Sequence, residues 1–210
     1  VDQHKRFSQV VALDEDGQTL AGTRLDHADK EAMRRWLSQW GPDSCAVLEA
    51  GGSWYWLYDL LEECVGQVKM AHPASVRLIA DSKVKTDKID ASVLAQLERL
   101  GFLPESYVPP RRVRDEREVH RLRIFLVRLS TALKNRIHGA LSKLGIECPH
   151  SDLFGQAGRR FLEALELRPP YAEEVRCCLE VLDLLQEKVK ETVKEIRRSL
   201  RGDPRAQLLM

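Results

Sequence analysis

Apolar residues in the first 110 positions recur with two different periods. Short runs of β-branched and apolar residues lie between turn signals and predict strands, whereas longer stretches repeat an apolar residue every three or four positions and predict helices. The predicted strands are residues 1–2, 7–13, 19–25, 45–48 and 68–70, and the predicted helices are residues 28–40, 54–65 and 86–100. This order of strand, hairpin, helix, strand, helix, strand and helix predicts a layered α/β fold.

From residue 111 onward the pattern is helical throughout. An apolar stripe over residues 119–144 predicts one long helix. A shorter helix is predicted around residues 161–167, after a break marked by Gly145, Pro149 and residues 155–158. From residue 175 the spacing alternates between four and three, which predicts a coiled-coil seam. The seam positions are Val175, Leu179, Leu182, Gln186, Val189, Val193, Ile196 and Leu200. An amphipathic helix packed on the core of its own domain is the alternative.

We therefore expect an α/β domain over residues 1–110, a basic helical extension over 111–168 and a coiled-coil segment over 169–204. The 210 residues, 43% of them hydrophobic, suffice for one sizeable core and a helical appendage. No apolar run approaches the roughly 20 residues that span a bilayer, so a membrane is not an expected partner. The five cysteines lack the paired spacing of a zinc site and indicate reduced thiols, which predicts a cytoplasmic protein.

The net charge of +1 conceals an asymmetry between the two halves. Residues 1–110 carry 12 basic and 17 acidic side chains, whereas residues 111–210 carry 21 and 15. Ten of those basic residues lie between positions 111 and 145, a distribution that favours contact with nucleic acid phosphates. A solvated helix face is the simpler alternative. The candidate nucleic-acid-binding residues are Arg111, Arg112, Arg114, Arg117, Arg121, Arg128, Lys134 and Arg136.

Four acids in the first half are the candidate catalytic residues. Asp87 and Asp90 are separated by three positions at the start of a predicted helix, which places them on one face. Like charges held that close favour a bound cation, although acids in a first helical turn also interact favourably with the helix dipole. Asp2 and Glu49 each end a predicted strand, at the sheet edge where functional groups of open α/β sheets gather.

Three segments around these acids resemble the motif blocks of the DEDD transposases of bacterial insertion sequences, the IS110 type, whose relatives include the Piv DNA invertases. The segments are residues 1–8 (VDQHKRFS), 47–58 (VLEAGGSWYWLY) and 85–91 (KTDKIDA). The resemblance implies a RuvC-like (ribonuclease-H-like) domain in which Asp2, Glu49, Asp87 and Asp90 are the catalytic acids. It also implies Mg²⁺ as cofactor, with two ions expected, and a bacterial or archaeal host.

The function implied is that of an RNA-guided DNA recombinase. Its partners would be donor DNA, target DNA and a bridge RNA, and we expect a homodimer or higher homo-oligomer formed through residues 175–200. Members of the family continue into a C-terminal domain with a nucleophilic serine, and we expect that domain to lie beyond residue 210. Two alternatives stay open: a stand-alone RuvC-type DNA nuclease, and a non-catalytic RNA-binding and dimerisation module. Metal-dependent cleavage by this chain alone would favour the nuclease.

Two further groups of residues have simpler interpretations. The aromatic cluster that begins at Trp54 could stack on nucleic acid bases, but core packing of the helix after Glu49 explains it more simply. The six histidines have no metal-ligand spacing. His4 is close to Asp2 in the sequence and could touch the site, but a surface histidine is the favoured interpretation.

Overall fold

A computed structural model describes residues 1–79 and 86–201, which form two compact units. The first unit is Val1–Val108 and the second begins at Pro109. No helix within the described residues is long and apolar enough to cross a membrane. The mixture of strands and helices in the first unit confirms the predicted α/β class.

Three antiparallel strands form one sheet of the first unit. They are β1 (Asp2–Gln3), β2 (Phe7–Leu13) and β3 (Thr19–Asp26), and β2 lies between the other two. The β2–β3 hairpin turns at Gly17, whose φ of +84° favours glycine, and the backbone N–H of Gly17 donates to the carbonyl of Asp14. The pairing of Asp2 with Gln9 fixes the register of β1 and places the carboxylate at one end of the sheet.

Two parallel strands form a second sheet beside the first. They are β4 (Cys45–Glu49) and β5 (Gln67–Ala71), joined through helix α2 (Tyr55–Cys64). The backbone nitrogen of Val1 donates to the carbonyl of Val47 at 2.7 Å, so β1 lies next to β4. Glu49 therefore ends a strand that lies beside the one carrying Asp2.

Helices cover the sheets and bury the core. The remaining helices of this unit are α1 (Lys30–Ser38), α3 (Pro73–Ile79) and α4 (Asp87–Arg99). Leu48, Leu57 and Leu61 are fully or almost fully buried in one core cluster, to which β4 and α2 both contribute. Helix α4 contacts β1, β2 and β4, which holds its first turn near the end of β1.

The second unit is built from helices. They are α5 (Arg111–Lys143), α6 (Gln156–Ala164) and α7 (Tyr171–Ser199), with α5 and α7 packed against each other. The core includes Ile137, Leu141 and Leu162. The seam of α7 therefore packs on α5 of its own chain, as the alternative interpretation of the heptad pattern expected.

Two details of the second unit differ from the sequence prediction. In α7, Leu185 is buried and Gln186 is exposed, so the polar residue is not in the packed seam. The predicted break after the long helix is present, because α5 ends at Lys143, but the break ends earlier than expected: Gly155 is the N-cap of α6 and Gly158 lies inside that helix. A Cβ on Gly158 would lie 2.3 Å from the carbonyl oxygen of Asp152, so glycine is required there by a close backbone approach.

Candidate metal centre

The site begins at the carboxyl end of β1. Asp2 lies in this strand, with its side chain 20% exposed, and His4 follows the strand. The backbone N–H of His4 donates to the carbonyl of Phe7 at 2.9 Å, which closes the tight turn between β1 and β2. The imidazole stacks on the Phe7 ring with centroids 4.5 Å apart, and the Arg24 guanidinium lies 3.5 Å from the centroid of that ring.

The first turn of α4 brings two more acids to this place. Thr86 caps the helix by accepting a hydrogen bond from the N–H of Ile89 at 3.3 Å, and Asp87 and Asp90 follow in the first turn. His4 Nε2 lies 3.0 Å from Asp2 Oδ2 and 3.2 Å from Asp87 Oδ2. The three ligand atoms all lie within 4.8 Å of one another, although Asp2 and Asp87 are 85 positions apart in the chain.

The electrostatics of Asp2 reflect this crowding. Burial raises the pKa of the Asp2 carboxyl, His4 acts in the opposite direction, and the charges of Asp90 and Asp87 raise this pKa again. Asp90 is therefore close enough to act on Asp2. A bound cation would lower the cost of keeping these carboxylates ionised together.

Glu49 lies on a strand next to β1, but it is not one of the three described residues whose ligand atoms are mutually close. It is the last residue of β4, is partly buried, and pairs in register with Ala71 of β5. Among the described residues, the set of mutually close ligand atoms contains neither Glu49 nor Asp90. The structure thus brings Asp2 and Asp87 together, and it places Asp90 and Glu49 on elements that adjoin them.

The donor set fits a divalent metal ion. Carboxylate oxygens suit Mg²⁺ and Mn²⁺, and an imidazole nitrogen adds a ligand that transition metals prefer. The atoms come from β1, the turn that follows it and the capped first turn of α4, which are already close together, so little rearrangement would be needed to close around an ion.

His4 is the site residue that sequence reasoning underestimated. The prediction that it is an ordinary surface histidine is wrong, because its ring contacts both Asp2 and Asp87. A signal was present in the sequence, since residues two apart along a strand point to the same face. The weakness of that signal is that β1 spans two residues here, so a period of two was not visible.

The aromatic cluster has the structural role that we favoured. Trp54 and Trp56 pack against the core of the first unit, and Tyr58 is buried within it. Trp56 also contacts the His27 ring edge to face, with centroids 4.7 Å apart. Core packing therefore accounts for these three rings.

The predicted basic residues lie on α5 in different surroundings. Arg114 is 3% exposed, so it offers little surface for a phosphate contact. Arg112, Arg121 and Arg136 form ion pairs with Glu116, Glu118 and Glu174, respectively, and Lys134 lies over the Phe154 ring. Arg111, Arg117 and Arg128 are exposed and have no ion-pair partner within the described part of the chain.

Comparison with known proteins identifies the family of this chain. The family model of the DEDD transposases of the IS110 type, described as "Transposase", matches residues 1–146. A "Probable family 20 transposase" of Pseudomonas aeruginosa is 28% identical over 224 aligned positions, which include all of this chain and 62% of that protein. The chain thus spans less than two thirds of this relative's length. Because the family match covers well over half of its residues, the chain belongs to the DEDD transposase family of the IS110 type.

Proposed function

We propose that this chain forms the metal-dependent, RuvC-like part of a DNA transposase that cuts and rejoins DNA strands. The observation that carries the proposal is the convergence of Asp2 and Asp87 on one imidazole, 3.0 and 3.2 Å from its Nε2 atom. A ribonuclease-H-like arrangement is supported by the strand order, in which an antiparallel β3-β2-β1 sheet adjoins a parallel β4-β5 pair through Val1 and Val47.

The roles of the acids follow from their positions. Asp2 and Asp87 would hold Mg²⁺ directly, and Asp90, from the same first turn of α4, and Glu49, from the end of β4, would complete a site for two ions. When bound, the metal ions polarise the scissile phosphate and stabilise the attacking and leaving oxygens. The burial of Asp2 limits the water that competes for its carboxylate, and the stiff α4 cap holds Asp87 in place.

Donor DNA, target DNA and a bridge RNA are the proposed nucleic acid partners. Exposed arginines on α5 supply positive charge for phosphate contacts, and Arg117 and Arg128 are not neutralised by an ion pair within the described residues. Recombination also needs two sites in one assembly. We propose self-association through residues 175–200, where Val181 and Leu184 expose apolar surface although the opposite face of α7 is covered by α5.

The test compares Asp2→Asn and Asp87→Asn with Asp43→Asn, a change at an exposed acid near the opposite end of β4. We expect the first two variants to lose Mg²⁺ binding in calorimetry and to lose strand transfer in the full-length protein. Asp43→Asn should retain both. Unchanged Mg²⁺ affinity in Asp2→Asn would refute the metal assignment, whereas cleavage of DNA by this chain alone would replace the transposase with a nuclease.

A further inference from the structure

We propose that His4 is itself a metal ligand through Nε2, which makes the site a mixed nitrogen and oxygen centre that binds Mn²⁺ and later transition metals more tightly than Mg²⁺. The inference rests on the proposed function, because it takes Asp2 and Asp87 as metal-holding acids. It adds a residue outside the four acids and a metal preference that those acids alone do not give.

The first argument is the spacing of the three ligand atoms. Ligands about 2.1 Å from an octahedral ion lie about 3.0 Å from their neighbours in the shell, because adjacent positions subtend a right angle. Nε2 of His4 lies 3.0 Å from Asp2 Oδ2 and 3.2 Å from Asp87 Oδ2. All three ligand atoms lie within 4.8 Å of one another, so one ion in front of them can be shared by all three.

The second argument is that the imidazole is held in this orientation. Its face lies on the Phe7 ring at an interplanar angle of 22°, and the backbone of His4 is tied to Phe7 by the hydrogen bond that closes the turn. A side chain fixed by packing loses little rotamer freedom when it binds an ion. Coordination through Nε2 requires the neutral ring to carry its proton on Nδ1.

A different role for the same geometry is an ion pair that holds the two carboxylates together when metal is absent. In that case His4 competes with the ion, and its removal should leave metal affinity unchanged or increase it. As a ligand, its removal should weaken binding, and most of all for the ions that favour imidazole. Affinity of such sites rises from Mn²⁺ to Co²⁺ and Ni²⁺, whereas Mg²⁺ prefers oxygen ligands. The two roles therefore predict opposite signs.

The experiment uses the 210-residue chain with Mn²⁺, Co²⁺ and Mg²⁺ as probes. His4→Ala removes the ring, and His4→Gln keeps an amide that can donate a hydrogen bond to a carboxylate but is a poor ligand for transition metals. His72→Ala is the matched control, because His72 is an exposed histidine of the same unit whose Nδ1 contacts the Ser75 hydroxyl. Circular dichroism and thermal unfolding verify that each variant folds.

We expect the electron spin echo of bound Mn²⁺ to carry modulation from an imidazole nitrogen in the wild-type chain and in His72→Ala, and to lose it in both His4 variants. Mn²⁺ and Co²⁺ affinity measured by calorimetry should fall at least about tenfold in the His4 variants, the lower end of the effect of disturbing a ligand shell. Mg²⁺ affinity should fall less.

Two results would overturn the proposal while leaving the acids in place. One is wild-type Mn²⁺ binding without nitrogen modulation, and the other is equal or tighter Mn²⁺ binding in His4→Ala. In either case, loss of Mn²⁺ binding in Asp2→Asn would still support the carboxylate site. If Asp2→Asn binds Mn²⁺ as the wild type does, the proposed function fails together with the role of His4.

Discussion

At the scale of single residues, the surroundings of Asp2 differ from those of most acids in this chain. Its carboxylate is mostly buried, a position that raises its pKa and makes the ionised form costly, and two further acids increase that cost. A metal ion would relieve the desolvation and the repulsion at the same time. The site therefore favours a bound cation.

The hydroxyl of Thr86 caps α4, the helix whose first turn carries Asp87 and Asp90. Thr86→Ala removes the hydrogen bond that Thr86 accepts from Ile89, which should lower the free energy of unfolding by about 1 kcal/mol. Because Asp87 and Asp90 lie in the turn that this bond orders, Mg²⁺ affinity should fall as well. Chemical denaturation and calorimetry measure the two effects.

The matched control is the cap of α1. Asp29 accepts a hydrogen bond from the N–H of Ala32 at 2.8 Å, and Asp29→Ala should destabilise the unit by a similar amount. No predicted site acid lies on α1, so Mg²⁺ affinity should not change. Equal loss of Mg²⁺ affinity in both variants would mean that general destabilisation, rather than the order of the first turn of α4, controls metal binding.

At the scale of elements, periodicity predicted long segments well and short ones poorly. Residues 7–13 form β2 with the predicted bounds, and the predicted helix at 86–100 corresponds to α4. Helix α3 was not predicted, because its seven residues include one buried side chain, Val76, and give no repeated apolar face. Short elements are specified by tertiary contacts that a local pattern does not contain.

One face of helix α7 packs on α5, and the other face is exposed. Leu182 is fully buried and Leu184 is 55% exposed. Leu182→Ala should therefore cost about 2–5 kcal/mol of unfolding free energy, whereas Leu184→Asp should change it by less than about 0.5 kcal/mol. Sedimentation should show that Leu184→Asp loses the self-association that we propose for the wild-type chain.

Gln186 provides the comparison for both variants. The heptad pattern placed it in the seam, but it is exposed and Leu185 is buried instead. Gln186→Ala should accordingly leave both stability and association unchanged. A large loss of stability in Gln186→Ala would support the seam predicted from the sequence. A wild-type chain that is monomeric at tens of micromolar would exclude association through α7.

At the scale of the whole molecule, the sequence located the acids but could not measure their convergence. Asp2 and Asp87 were candidates because each stands at the end or start of a predicted element. That their carboxylates meet depends on how α4 contacts β1, a contact between segments 85 positions apart. The role of His4 depends on the same contact, so its spacing of two from Asp2 was too weak a signal to separate it from a surface histidine.

Charge is also distributed unevenly along the chain, and three arginines of α5 share one side of that helix. Arg117, Arg121 and Arg128 are spaced by four and seven positions, which places them along one side of a helix. All three are exposed, and Arg121 also pairs with Glu118 in its own helix. If this side contacts phosphates, the paired variant Arg117→Glu and Arg128→Glu should weaken binding to single-stranded RNA and duplex DNA.

The expected size of this effect follows from counterion release. Each lost phosphate contact should reduce the slope of log affinity against log salt by about 0.7 for a single strand and about 0.9 for duplex DNA. Lys190→Glu with Lys194→Glu makes the same change in net charge at two exposed positions of α7, and should leave the slope nearly unchanged. Fluorescence anisotropy at several salt concentrations separates the cases. If the slope decreases equally in both double variants, nucleic acid binding depends on the overall charge of the chain. A binding face on α5 instead requires that only the α5 substitutions reduce the slope.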